Sequence, residues 1–341
     1  VLQGSTPNVN PPTVTCPSNG TKKQKVVGGL TCDYHVSSVG GVEKLHGPMT
    51  WTSNSKVVRK ACLNNNVLVG PYEVISTKGT TLYKAYYDAL GMLHGPLKTF
   101  HDNASKETVR MYSGGNPVGW REVWNDQSIQ VLKTWYDNSG KLQGKGETWH
   151  DNGQKRAISY FKDDELHGLD RGWHDNGLKS FIGSNANGKE VGLHRWWSET
   201  GKLRGQSTFS NGNGDIHLKF DNGSTSVKGK VVDGKQHGEW VWYYENGQLA
   251  QKIAYILGSG KGTAWWSNGK KQTEITYKEG LRHGYWKNWD DKGQMTVEGE
   301  YKEGDRWGTW VYYADGKVSY KICHIGGQAL VPDECAKSWL Q

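Results

Sequence analysis

Glycines recur along this chain at a nearly fixed step. Gly47, Gly70, Gly95, Gly119, Gly146, Gly168, Gly192, Gly214, Gly238, Gly262, Gly284 and Gly308 follow one another at gaps of 22 to 27 residues. A step that regular, sustained over most of 341 residues, is incompatible with one ordinary globular core and points to stacked copies of one small unit. Five of these anchor glycines follow a histidine (His46, His94, His167, His237, His283), and Trp307 takes that place in the last copy.

A second signal runs in phase. Asn152-Gly153, Asn176-Gly177, Asn222-Gly223, Asn246-Gly247 and Asn268-Gly269 each lie a few residues past an anchor, closely preceded by an aromatic such as Trp149, Trp173 or Tyr243. A third precedes the next anchor, clearest in Tyr277-Lys278-Glu279-Gly280 and Tyr301-Lys302-Glu303-Gly304. Asn-Gly tolerates positive φ at both positions and predicts a type I′ hairpin turn. The flanks alternate as strands do, as in Trp240-Val241-Trp242-Tyr243. Each unit therefore reads as strand, turn, strand, polar turn. The fold class is all-β: an elongated, open, twisted and solenoid-like sheet of about twelve antiparallel hairpins and about 24 strands.

Composition agrees. Hydrophobic residues are only 35% of the chain, while Trp and Tyr stand at 17 each, so the rings must supply much of the buried surface. No run approaches the ~20 apolar residues of a membrane-spanning helix. The expected divisions are a Pro-rich tail over 1–25, the array over 26–322 and a Cys-bearing cap over 323–341.

Hairpins of about 24 residues with a His-Gly or Trp-Gly anchor, a Trp-Tyr strand and a Glu-Asn-Gly turn resemble the MORN-repeat family, and most closely its bacterial variant. The best copy is Gly238-Glu239-Trp240-Val241-Trp242-Tyr243-Tyr244-Glu245-Asn246-Gly247. The resemblance is good over 237–316, fair over 144–201 and limited to spacing over 47–125. It implies a scaffold or binding surface and specifies no chemistry.

The net charge is +8 with a pI of about 9.0, spread without a basic run, which allows an anionic surface as partner and argues against nucleic acid. Cysteines lie only near the ends. Cys16–Cys32 is the favoured disulfide and Cys323–Cys335 the second, with Cys62 a free or intermolecular thiol, and such staples suggest an extracytoplasmic location. The pair Cys32–Cys62 is disfavoured, because equivalent positions of adjacent hairpins lie roughly 10 Å apart.

No cofactor, metal or catalytic set is expected. His101-Asp102-Asn103, His150-Asp151-Asn152 and His174-Asp175-Asn176 look catalytic but recur, whereas catalysis needs one non-repeating constellation. Trp240, Trp242, Trp286 and Trp310 are the candidate surface aromatics, although the same rings could equally be the core. The leading expectation is a non-enzymatic exported scaffold that binds a protein or a surface glycan. A self-associating fibre or coat subunit is one alternative. A polysaccharide-acting enzyme is another, with Glu107, Glu122 or Asp126 as its carboxylates.

Overall fold

A computed structural model describes residues 9–330. Those residues form two compact units, divided between Gly177 and Leu178. Among them there is no helix; they form thirty-one strands joined by turns. In the first unit, antiparallel pairing passes from hairpin to hairpin between Thr21–Val27 and Gly168–Trp173. In the second, Lys179–Ala186, Lys189–Trp197 and Leu203–Phe209 pair in succession, and an open meander of twelve strands follows from Gly214–Lys219 to Gln328–Leu330. The ladder breaks between Phe209 and Gly214. Arg204 spans the break, donating from Nε to the Lys219 carbonyl at 2.9 Å and from its guanidinium to Ser226 Oγ at 2.9 Å.

Twelve anchored strands and twelve return strands make up the expected twenty-four. The additions are a hairpin before the first anchor (Thr21–Val27 with Leu30–Val39), the closing strand Gln328–Leu330, and four short strands split off where an anchor bends the backbone. The array thus begins inside the segment read as tail, and Cys323 lies within strand Lys317–Ile325 rather than in a separate cap.

Strand register corrects two anchors. Gly238 pairs with Tyr255 five residues before Tyr243. The same place is held by Gly144 opposite Phe161 and Gly260 opposite Tyr277, so Gly146 and Gly262 sit two residues past it. With these replacements the gaps narrow to 22–25 residues.

The turn assignment is also corrected. In none of the five Asn-Gly turns does Asn have positive φ; only the glycine does, as at Gly153 (83°) and Gly247 (85°). Each is a wider turn closed as in the pair Gly247 N–H to Tyr244 O and Tyr244 N–H to Gln248 O. The two-residue turns with both φ positive lie mostly at the polar turns, for example Asp233–Gly234 and Glu303–Gly304. The reason is length. Five residues separate Tyr243 from Leu249, too many for the two-residue loop of a type I′ hairpin.

The rings form the core by size complementarity. A Cβ on Gly229 would fall inside the indole of Trp240, and one on Gly299 inside that of Trp310. Each indole then donates its Nε1 proton one residue further on, to Lys230 O at 2.9 Å and Glu300 O at 3.2 Å. His194 stands over Gly183 in the same way, with Nε2 2.9 Å from Ser184 O. A strand glycine eleven residues before a large ring is therefore the signature of this core. Around it Phe209, Val231, Ile253, Tyr255 and Ile275 are buried, with Trp242 and Trp286 packed against them.

The surface assignment of the four tryptophans is thereby corrected. Trp310 is 0% and Trp240 7% exposed, and Trp242 and Trp286 are half-buried edges of the same cluster. A thin sheet with few aliphatic side chains must use its rings as core.

Candidate functional surface

Two of the His-Asp-Asn sets join neighbouring hairpins through their histidines. His101 and His150 donate from Nε2 to the carbonyls of Trp124 (3.0 Å) and Trp173 (2.9 Å) in the next hairpin. At the equivalent place Tyr244 donates its hydroxyl to Trp265 O at 2.7 Å, and Trp266 its indole N–H to Trp289 O at 3.0 Å. Histidine, tyrosine and tryptophan thus share one task at this position, donating a hydrogen bond to the next hairpin. The asparagines work alongside. Asn103, Asn152, Asn222 and Asn268 accept from their own turn and donate Nδ2 to a backbone carbonyl of the next hairpin at 2.7–3.1 Å. Asp could accept but not donate, which explains the preference for Asn.

Of the candidate carboxylates, Glu107 and Asp126 share an open depression of about 610 Å³ with His101 and Asp102, whereas Glu122 does not line it. Glu122 instead pairs with Lys133 at 2.9 Å. Among the described residues no cluster of His, Cys, Asp and Glu could hold a metal ion. No helix there is long and apolar enough to cross a membrane.

The sheet face opposite the rings is charged. Glu73 lies between Lys60 (3.7 Å) and Lys84 (3.1 Å), Lys252 pairs with Glu239 at 2.6 Å and Lys287 with Glu298 at 3.4 Å. Burial alone would raise the Glu147 carboxyl, but hydrogen bonds from Lys145 and Lys155 hold it below its ordinary value. The Tyr313 hydroxyl, donating to Glu298 at 2.6 Å, does the same there.

On this face the N-terminal segment follows the anchor glycines. A Cβ on Gly47 would stand 2.9 Å from Pro17 O, one on Gly70 3.4 Å from Val14 O, and one on Gly95 3.1 Å from Pro11 Cα. Three residues of tail thus pass per hairpin. His46 Nε2 meets Asn19 Oδ1 at 3.0 Å at the start of the path. All three glycines are buried and have positive φ, at 116°, 63° and 91°.

The cystine sits on the same path, and its partners differ from those expected. Cys16 bonds Cys62, with Cα atoms 5.7 Å apart, and Cys32 is the free, buried thiol. The tail runs on past the first hairpin to the anchors Gly47 and Gly70, so Cys16 arrives beside the return strand Lys56–Asn64 that carries Cys62. Burial, and then the Asp33 charge, push the Cys32 thiol up, which disfavours its thiolate form. Cys323 is buried, and its expected partner Cys335 lies outside the described residues. Sequence reasoning missed the strap, although a signal was present. Among the described residues the tail touches Gly47, Gly70 and Gly95, and only at Gly47-Pro48, Gly70-Pro71 and Gly95-Pro96 does proline follow an anchor.

Comparison with known proteins bears on the repeat. A search of curated proteins finds no match. A solved structure entitled "Crystal Structure of TcdB2-TccC3" aligns at 10% identity over 87% of this chain with a TM-score of 0.17, a likeness too slight to carry an argument. This chain spans 22% of the length of that one. The MORN repeat variant matches four times, at residues 142–163, 190–211, 236–256 and 282–303. Each match takes in one anchored strand and its return strand, at Gly144, Gly192, Gly238 and Gly284. The spacing of about 46 residues is two hairpins, so the matches fall on alternate units of one continuous pattern. Two of the hairpins passed over have anchors, Gly214 and Gly260, without positive φ. By repeat and by register, the chain carries four matches to the MORN repeat variant within a longer array of β-hairpins of the same kind.

Proposed function

We propose that the chain is a non-enzymatic binding scaffold that works outside the reducing cytoplasm and engages a protein on its charged face. The observation that carries this reading is the interchange of His150, Tyr244 and Trp266 at one position. The groups that could do chemistry are spent on joining hairpins, which leaves the surface as the functional element. The Cys16–Cys62 bond supports an oxidising compartment. Burial of Trp240 and Trp310 weighs against sugar stacking and favours a protein over a glycan. The first strand, whose described pairing is to Leu30–Val39, carries Lys22, Lys23 and Lys25, the charge that blunts open sheet edges and weighs against a fibre.

Hydrogen–deuterium exchange in the presence of cell-envelope fractions tests the scaffold. Protection should fall on contiguous strands of one face, and uniform exchange with every fraction would contradict it. The enzyme alternative keeps one observation in its favour, the depression shared by Glu107 and Asp126. Hydrolysis of any glycan that is lost in both Glu107→Gln and Asp126→Asn would establish it in place of the scaffold.

A further inference from the structure

The path that the tail covers in the first unit is open in the second. A Cβ on Gly192, Gly238 or Gly308 would meet nothing within 4 Å, and one on Gly284 only Thr276 Cβ at 3.9 Å. Three of these glycines are half-buried and Gly192 is exposed, whereas Gly47, Gly70 and Gly95 are buried. Their φ values, 66° to 78°, show that the backbone keeps the tail-bearing conformation with no tail on it.

The last of these positions is also hollow. A depression of about 470 Å³ is lined by Gly308, Tyr285, Trp307, Glu298 and Glu300, among others. By register it is the counterpart of the spot where Pro17 meets Gly47. Gly47 corresponds to Gly308, and His35, whose Cβ lies near Gly47, corresponds to Glu300. Tyr285 is 76% exposed, well above Tyr320 (52%) and Tyr160 (39%), the other exposed rings among the described residues.

We propose that the anchor-glycine track of the second unit docks an extended, proline-rich segment of a partner protein with a basic residue beside its prolines. Three features fix that chemistry, and the proposal rests on the scaffold reading above. The first is the chain's own tail, which places Pro17, Val14 and Pro11 on successive anchors. Three residues of polyproline II rise about 9.3 Å and two strands span about 9.6 Å, so such a segment stays in step with the hairpins. The second is the walls, the exposed Tyr285 and the half-buried Trp307, since aromatic rings lining a shallow groove are what polyproline recognition uses. The third is charge. Glu300 is exposed at the rim, and Glu298 is held ionised beside it by the Tyr313 hydroxyl and Lys287. The chain's own tail is not available for this track, because Cys16 ties it to Cys62.

Fluorescence anisotropy on the full chain tests this, with a labelled peptide of the tail sequence 9–18 carrying serine for cysteine and one added arginine. Saturable binding is expected, with none for a Gly-Ser peptide of the same length. Gly308→Asn places a side chain in the track at a φ that asparagine tolerates, and Tyr285→Ala removes a wall that the fold does not use. Each should weaken binding by about tenfold at unchanged circular dichroism, the scale of one lost anchor contact. The peptide without arginine should bind more weakly. No saturable binding, or binding unaltered by both variants, would overturn the proposal. Binding seen only after deletion of residues 331–341 would also overturn it, by assigning the track to the chain's own C-terminal segment. Envelope-fraction protection without peptide binding would remove this proposal and leave the scaffold standing.

Discussion

The hairpins at Gly47, Gly70 and Gly95 and those at Gly238, Gly284 and Gly308 have the same backbone and different means of support. The later set buries Trp240 and Trp310 over strand glycines and leaves its anchor track open. The earlier set has smaller buried side chains, among them Ala61, Val69 and Ala85, and carries the tail across its anchors under a disulfide. The sequence degeneracy over 47–125 is thus not decay of the repeat. There the tail and cystine take over part of the work of the indoles, and ring positions are released. The anchor glycine is kept in both sets because the bend requires positive φ whether or not anything lies on it.

The comparison can be broken at either end. The largest effect is expected from the later set. Trp310→Ala empties a fully buried site and should destabilise the second unit by about 3–5 kcal/mol in chemical denaturation. Next comes the strap. Cys62→Ser opens a loop closed over 46 residues and should destabilise the first unit by roughly 2–4 kcal/mol, with the second unit unchanged. Equal loss from both units would erase the distinction drawn here. A matched pair sharpens it further. Gly47→Asn pushes a Cβ against the Pro17 carbonyl and should cost about 1–3 kcal/mol, the range for overpacking, while Gly308→Asn meets open space and should stay within about 1 kcal/mol.

The hairpin staples are expected to be weaker than the core. His150→Ala loses one half-buried hydrogen bond and should cost about 1 kcal/mol, and His150→Tyr should restore part of it, because Tyr244 fills that role in a later copy. A histidine needed for chemistry would not be rescued. The smallest effect is one of pH. His324 is buried against Trp310, and burial, followed by the Arg306 charge, lowers its pKa from the ordinary 6.5. The fold therefore favours neutral His324. That contribution is full above pH 6.5 and declines as pH falls below 6.5 through the lowered folded value. His324→Gln should flatten this slope in thermal melts of the C-terminal hairpins.

Much of the fold was legible because it repeats. The anchor glycines set the period, and alternation within Trp240-Val241-Trp242 set the strands. Gly146 and Gly262 misled because a second glycine two residues from the anchor comes close to satisfying the spacing, and pairing with Ser159 and Ile253 or Ile275 reveals the slip. The Asn-Gly turns misled because one dipeptide serves two turn types and loop length decides between them. The candidate surface was the least legible part. A ring on an alternating strand can face either side, and a strand glycine eleven residues earlier decides it only once the register is known. Cys16–Cys32 would pin the tail to the first hairpin and leave Cys62 free, whereas the tail runs on to the strand that carries Cys62.

Glycine-selective labelling with isotope-edited NOE spectroscopy tests the central claim most directly. The account predicts contacts in steps of three, from Pro17 to Gly47, Val14 to Gly70 and Pro11 to Gly95, and none from any distant segment to Gly238 or Gly308. Absence of that stepped series, or an equal series on the later anchors, would contradict a single glycine track that is covered in one unit and open in the other.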